Sequence, residues 1–380
     1  MSEWQTAPLG NVATLQRGFD LPTRLRRPGS VPIVSSSGRS GRHDRAMVKA
    51  PGVITGRYGT IGKVFYEEDN FWPLNTTLWV SNFHGNHERF IYYLLQRVDY
   101  ETHSGKSGVP GVNRNDLHGE LVRIPDTVDE QRLIAAFLLG AEELVGGLEK
   151  LIAKKRAIKQ GMMQELLTGR TRLQGFTGTW MTSHLAAVAN VDPESLSPAT
   201  TSPTEMIDYI SLEDVSRGSI MKSAAYRFEQ APSRARRQVR PGDVLFGTVR
   251  PNLQSHAHYT GGLRNPVAST GFAVIRSRPG ITDPNYLGQW VLSSGVMAQI
   301  DRIIAGSNYP AVSSGDVRRL ELLLPSEEEQ AAIGSILRDA DTEIEVAGHR
   351  LEVARAIKQG MMQELLTGRT RIPAAKGDTV

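Results

Sequence analysis

The sequence predicts an α+β (mixed α/β) chain made of two globular halves, each followed by one long helix, with the two helices pairing antiparallel as a coiled coil in a pseudo-twofold internal repeat. Three observations carry this. The seventeen letters "RAIKQGMMQELLTGRTR" at Arg156–Arg172 return unchanged at Arg355–Arg371, 199 positions later (355 − 156). "VPGVNRNDLHGELVRIP" (109–125) lies without a gap over "YPAVSSGDVRRLELLLP" (309–325). Within each half, the hydrophobic pattern switches from short β-rich runs to a helical period.

The duplication spans the whole chain. "WQTAPLGNVA" at Trp4 parallels "WMTSHLAAVA" at Trp180, and "PGVITG" at Pro51 parallels "PGDVLFG" at Pro241. Offsets grow from 176 (180 − 4) through 190 (241 − 51) to 200 (325 − 125), so the second half carries extra residues, mostly in its early, basic part. A helix repeated letter for letter implies one constraint met twice. Globular parts that diverge imply two different targets.

In the first globular part, "GVITG", "GKVFYEE" and "NTTLWVSNF" read as strands and "RFIYYLLQRV" as a helix. In the second, "DVLFGTVR" and "STGFAVIRS" are strands and "PNYLGQWVLSSGVMAQIDRI" is one helix. The domains predicted are 1–126, a helix over 127–172, 173–325, a second helix over 326–372, and a flexible tail at 373–380.

From Asp129 to Thr168, Ile134, Phe137, Ala141, Leu144, Leu148, Leu151, Ile158 and Met162 follow alternating steps of three and four, broken where Lys155 takes a seam position. Ile333, Ile336, Ile344, Leu351, Ile357 and Met361 repeat the pattern less strictly. Acidic first turns suit the positive end of each helix dipole. Gly169 and Gly368 are natural stops. Glycines inside the helices weaken them, so each needs a partner.

At 380 residues the chain has room for two or three domains. With 39% hydrophobic and 22% charged residues it reads as soluble and globular. No apolar run is long enough to span a bilayer, the first residues do not form a signal peptide, and a cytoplasmic location is expected. The absence of cysteine excludes disulfides, thiolate zinc sites and a Cys nucleophile. Net charge is only +4, but it is unevenly spread. Thr14–Lys49 and Arg217–Arg250 each hold eight basic residues against two acidic ones, which suggests two copies of one anion-binding surface.

No catalytic constellation is found. "GRYGTIGK" at Gly56 lacks the spacing and the Ser or Thr of a phosphate loop, and reads as a tight turn displaying Arg57, Tyr58 and Lys63. "HAH" at His256 lacks a third metal ligand and reads as a strand facing solvent or nucleic acid. No metal is expected. DNA reading fits better, because Arg-rich loops studded with Ser and Asn offer guanidinium forks to phosphates and guanine edges. The candidates in the first half are Arg17, Arg24, Arg26, Arg27, Ser36, Arg39 and Arg42, then Arg57, Tyr58 and Lys63, with Lys106 and Arg114. Those in the second are Arg217, Arg227, Arg234 and Arg236, then Arg250, Asn252 and Gln254, with Ser307 and Asn308 in the "GSNYP" turn.

The duplicated architecture, the "PGVITG" and "PGDVLFG" strands, the "P…EQ" helix starts and the terminal "KQGMMQELLTGRTRL" together resemble the specificity subunit of type I restriction-modification enzymes. The resemblance implies two target-recognition domains, each reading one half of a bipartite asymmetric DNA site. It implies helices that set the spacer and dock two modification subunits, with their apolar faces as coiled coil and docking surface. Cofactors are then expected outside this chain: S-adenosylmethionine in the methyltransferase partners, ATP and Mg in a restriction subunit. Self-association of the isolated chain is left open. The alternative is a non-catalytic, two-headed protein-interaction scaffold on a helical spacer.

Overall fold

A computed structural model describes residues 3–103, 111–216, 218–305 and 310–372. The chain divides into two compact units, one of 1–149 with 349–380 and the other of 150–348. Each unit therefore combines one globular head with the start of its own long helix and the end of the other.

The first head is built on four strands, β1 (Thr14–Arg17), β2 (Gly52–Gly56), β3 (Val64–Glu67) and β4 (Thr77–Asn82), in the order β1-β4-β2-β3, all antiparallel. Helix α1 (Glu88–Leu95) covers this sheet with Phe90, Ile91, Tyr93, Leu94 and Leu95 buried. The strand Leu121–Pro125 pairs with Trp4–Pro8 and leads into the long helix α2 (Val128–Leu166). Thr127 Oγ1 accepts from Glu130 N at 3.4 Å, and Asp129 and Glu130 fill the first turn.

The second head repeats the plan. Strands β5 (Ala189–Val191), β6 (Val244–Gly247), β7 (His256–His258) and β8 (Phe272–Ser277) lie in the order β5-β8-β6-β7. A second sheet pairs Met206–Ile210, Ala224–Arg227, Ala235–Gln238 and Pro266–Ser269, strands from the region where the sequence carries its extra residues. Helix α3 (Pro284–Val291) is followed by α4 (Ser294–Ile304). The single helix expected there is broken because Ser293 Oγ accepts from Val296 N and starts a new helix. Strand Glu321–Leu324 pairs with Met181–His184 and leads into α5 (Glu327–Leu365).

Both long helices run unbroken for 39 residues. Within the second unit Lys155 pairs with Glu343 and Lys159 with Asp341; within the first, Glu149 pairs with Arg355 and Glu142 with Lys358. As one number rises its partner falls, so the helices are antiparallel in each unit.

The seam corrects the sequence-based expectation at alternate positions. Ile134, Leu148, Ile333 and Leu351 are buried as expected, and Met162, Ile344 and Met361 are partly buried. Phe137, Leu144, Leu151, Ile158, Ile336 and Ile357 are exposed, while Leu138, Ile152 and Leu337 next to them are buried. The interior runs 134, 138, 141, 145, 148, 152, in steps of four then three rather than three then four. Phe137–Leu138, Leu144–Val145, Leu151–Ile152 and Ile336–Leu337 are apolar doublets, and periodicity alone cannot choose between their members. At 158–159 and 357–358 the lysine faces inward, because a carboxylate on the opposite helix receives it.

The repeated word closes the head of the other half. Leu166 and Leu167 pack with Tyr286, Ile333 and Leu337 of the second unit, whereas Leu365 and Leu366 join the core of the first. Gly169 and Gly368 take φ of +69° and +68°. A Cβ there would lie 3.3 Å from the Trp180 ring and 2.8 Å from the Trp4 ring, so glycine suits the turn at both and is needed for the ring's approach at Gly368. Trp180 and Trp4 in turn donate through Nε1 to Glu329 and Glu130, each at 3.1 Å. Glu329 also accepts from Nε and Nη2 of Arg172, each at 2.7 Å. The letters are kept twice because two copies of one socket receive them.

Gln131 and Gln330, from the "EQ" helix starts, join helix to head. Gln131 Oε1 accepts from His87 N at 2.9 Å and Gln330 Oε1 from Asp283 N at 3.0 Å, the N-caps of α1 and α3. Their Nε2 groups donate to Pro125 O and Pro325 O.

Candidate nucleic-acid interface

Each head projects one loop from the same place in its main sheet. In the first, residues 57–63 join β2 to β3. Gly56 N donates to Lys63 O, and a Cβ on Gly56 would lie 1.7 Å from Thr60 O, so the loop can double back only over glycine. Arg57 N and Tyr58 N donate to Thr76 O at 2.8 and 3.2 Å, and Arg57 O accepts from Val112 N at 3.0 Å. The Arg57 guanidinium stands 4.6 Å from the centre of the Tyr58 ring, which is 41% exposed. Ser36, in the turn between strands Val31–Ser35 and Gly38–His43, comes beside Gly56. Arg114 opens the short helix that follows Val112 and is exposed. The structure thus gathers Ser36, Arg57, Tyr58 and the Arg114 helix. Lys63 lies over the Phe65 ring at 5.3 Å.

In the second head, residues 248–255 join β6 to β7, and the anchoring repeats: Gly247 N donates to Ser255 O, and Thr248 O accepts from Val312 N at 2.9 Å. Arg250 N donates to Pro310 O at 2.8 Å. Pro251–Leu253 form one 3-10 turn, with Arg250 and Asn252 exposed and Gln254 half-buried. The exposed Leu253 at the tip was missed by the sequence reading, which sought polar groups only.

The other basic candidates are placed differently. Arg39 binds Glu67 through Nε and Nη2 and reaches Asp69, and these carboxylates raise its pKa; its fork is occupied. Arg17 pairs with Asp20 at 3.0 Å, Arg26 donates to Leu21 O, and Arg42 donates to Ser30 O. Arg24 and Arg27 are exposed, Arg27 standing 4.0 Å from Asp44. Arg227, Arg234 and Arg236 belong to the region of the second sheet; Arg236 lies over the Phe228 ring at 5.1 Å, and the other two are exposed. Lys106, Arg217, Ser307 and Asn308 lie outside the described residues.

The "HAH" strand corrects its expectation. His256 is fully buried, its Nδ1 accepting from Gly247 N at 3.0 Å and its ring stacked on Phe246. Burial pushes its pKa down to about 4, and burial also lowers that of His258. The strand turns both rings inward because helix α3 packs against β7, the edge strand of the sheet, with His258 lying beside Gly288. Among the described residues no cluster of three metal-ligating side chains occurs, and no helix is long and apolar enough to cross a membrane.

Residues 1–153 match the family model described as the type I restriction modification DNA specificity domain. Beyond this domain, the type I restriction enzyme MjaVIII specificity subunit of Methanocaldococcus jannaschii is 20% identical over 303 residues, covering 74% of this chain and 70% of that one. The HindI specificity subunit of Haemophilus influenzae is 25% identical over 158 residues, covering 41% of this chain and 34% of that one. Among solved structures, the type I restriction-modification S subunit from M. genitalium superposes with a TM-score of 0.69 at 15% identity, over 98% of this chain and 97% of that one. A chain from a structure of type I system assembly and conformational transition gives 0.53 at 17% identity, over 97% and 98%. The resemblance to specificity subunits drawn from the repeated helix ends is thereby shown, and the specificity-subunit fold extends over both halves.

Proposed function

We propose that this chain is the DNA-binding specificity subunit of a type I restriction-modification complex, each head reading one half of a bipartite, asymmetric site. One observation carries the reading. The two heads hold the same strand-to-strand loop by matching backbone bonds, yet fill it with different side chains, Arg57 and Tyr58 in one and Arg250, Asn252, Leu253 and Gln254 in the other. A common scaffold with unlike contact groups is what reading two different sequences requires.

In this reading the helices set the spacer and dock two methyltransferase subunits, and Phe137, Leu144, Leu151 and Ile158, exposed at steps of seven along α2, are the apolar groups offered to a partner. The chain itself performs no chemistry. Adenine methylation with S-adenosylmethionine belongs to the modification subunits, and ATP-dependent cleavage with Mg to a restriction subunit, all in the cytoplasm. Methylation-sensitive sequencing of the source cell's DNA is expected to reveal a split motif with one modified adenine in each half. With that duplex, Arg57→Ala and Arg250→Ala each weaken binding, and loss of a phosphate contact lowers the salt slope by about one. Unchanged affinity and slope in both variants would remove these loops from the interface.

A further inference from the structure

The loop at 248–255 is held in an unfavourable backbone shape to display an aliphatic side chain. Among the described residues, four that are not glycine adopt a left-handed φ, and two of them, Arg250 at +49° and Gln254 at +56°, stand in this one loop. They bracket the turn Pro251–Leu253, in which Pro251 is buried and Leu253 is 60% exposed. The shape is fixed from both sides. Leu253 N donates to Arg250 O at 2.9 Å, Gln254 N to Pro251 O at 3.0 Å, and Thr248 binds Gly271 O through both its N and its Oγ1 at 2.8 Å. Strain that the surroundings hold in place is a feature of functional sites. A branched apolar group exposed on a turn fixed by these bonds is available to a partner.

The neighbours say which partner. Asn252 and Gln254 flank Leu253, and a carboxamide is the side chain that fits the N6 and N7 edge of adenine with two hydrogen bonds. The same base pair carries an apolar group in the major groove, the C5 methyl of thymine, beside the adenine edge. Resting on the DNA-reading function above, we infer that Leu253 reads an A·T pair of the second half-site by covering the thymine methyl, with the amide of Asn252 or Gln254 on the adenine edge. A wedge inserted between base steps is a different use of the same leucine and would not depend on that methyl.

The test compares cognate duplexes in which each thymine of the second half-site is replaced in turn by deoxyuridine, which removes the methyl and keeps the pairing. The full chain, with its modification subunits, is titrated in wild-type form and as Leu253→Ala. For the wild type, one replacement is expected to weaken binding about fourfold, the effect of uncovering one methyl group. For Leu253→Ala, which binds the thymine duplex more weakly, that same replacement has no further effect. Circular dichroism and melting of Leu253→Ala should match the wild type, since the side chain is exposed. Equal wild-type affinity for every uracil duplex, or an unaltered uracil penalty in Leu253→Ala, would overturn the inference while leaving DNA reading intact. Failure to prefer the cognate duplex over a random one would instead overturn the reading on which it rests.

Discussion

Lys358 Nζ donates to Glu142 Oε1 at 3.1 Å, and the pair recurs in the other unit as Lys159 and Asp341, both members displaced by 199 positions (358 − 159 and 341 − 142). The carboxylate is also the meeting point of helix and head in each unit. Glu142 accepts from Tyr93 Oη at 2.8 Å and from Tyr92 Oη at 3.3 Å, and Asp341 accepts from Gln289 Nε2 at 2.7 Å. The tyrosines of the first head thus occupy the place that Gln289 takes in the second, and the lysine of the repeated word serves both.

Replacing Glu142 by Ala removes the acceptor of two phenols and one ammonium. Burial already pushes Tyr92 up to about 12, so its proton stays on and must find another acceptor. The variant is expected to lose about 2 to 4 kcal/mol of stability, read from urea unfolding of the full chain. Glu142→Gln, which keeps one acceptor oxygen, should lose less than half as much. A Glu142→Ala midpoint equal to that of the wild type would mean that this junction contributes nothing.

His256 gives the second head a sensitivity to acid. Burial holds its pKa at about 4 when folded against 6.5 ordinarily, so the unfolded chain binds the proton more readily. Its contribution is full above pH 6.5, declines as pH falls, and is lost by about pH 4, a change of about 3 kcal/mol. Val64 occupies the matching register in the first head, since Thr55 pairs with Val64 as Phe246 pairs with His256. His256→Val is therefore expected to flatten the stability profile between pH 6.5 and 4, as measured by denaturant melts at a series of pH values. The same acid slope in the variant would assign it elsewhere.

Neighbouring apolar residues on α2 have opposite roles. Leu138 is fully buried and Phe137 is 50% exposed. Leu138→Ala opens a cavity and should lower stability by about 2 to 5 kcal/mol. Phe137→Ser should leave the melt of the isolated chain within about 0.5 kcal/mol, as surface changes usually do, and reduce co-purification of a methyltransferase partner. Equal destabilisation by both would place Phe137 in the seam after all.

Much of this was legible from letters alone. Repetition of one word at a fixed distance disclosed the duplication, and Gly169 and Gly368 marked where the helices stop. Strands such as Gly52–Gly56 and Phe272–Ser277 announced themselves by β-branched and aromatic runs between turn residues. These are local properties, set by backbone preference and the spacing of apolar groups, and they act before any distant contact forms. The Glu142 and Asp341 pairs were overlooked although their common offset was available, because one is Glu and the other Asp within otherwise dissimilar text.

Other features belong to the folded molecule. Which member of Phe137–Leu138 faces inward depends on what the opposite helix presents, and both orders of three and four satisfy the same average period. The inward turn of His256 depends on a helix packed over its strand. Arg39 is occupied because Glu67 and Asp69 are brought to it from residues 28 and 30 positions away. That each repeated word caps the head of the other half follows from antiparallel pairing within each unit. The sequence by itself determined the repeat, the elements and the places where they end, because those follow from short-range stereochemistry. Burial, charge pairing and the display of Leu253 were decided only by tertiary structure, since they depend on groups far apart in the chain meeting at angstrom distances.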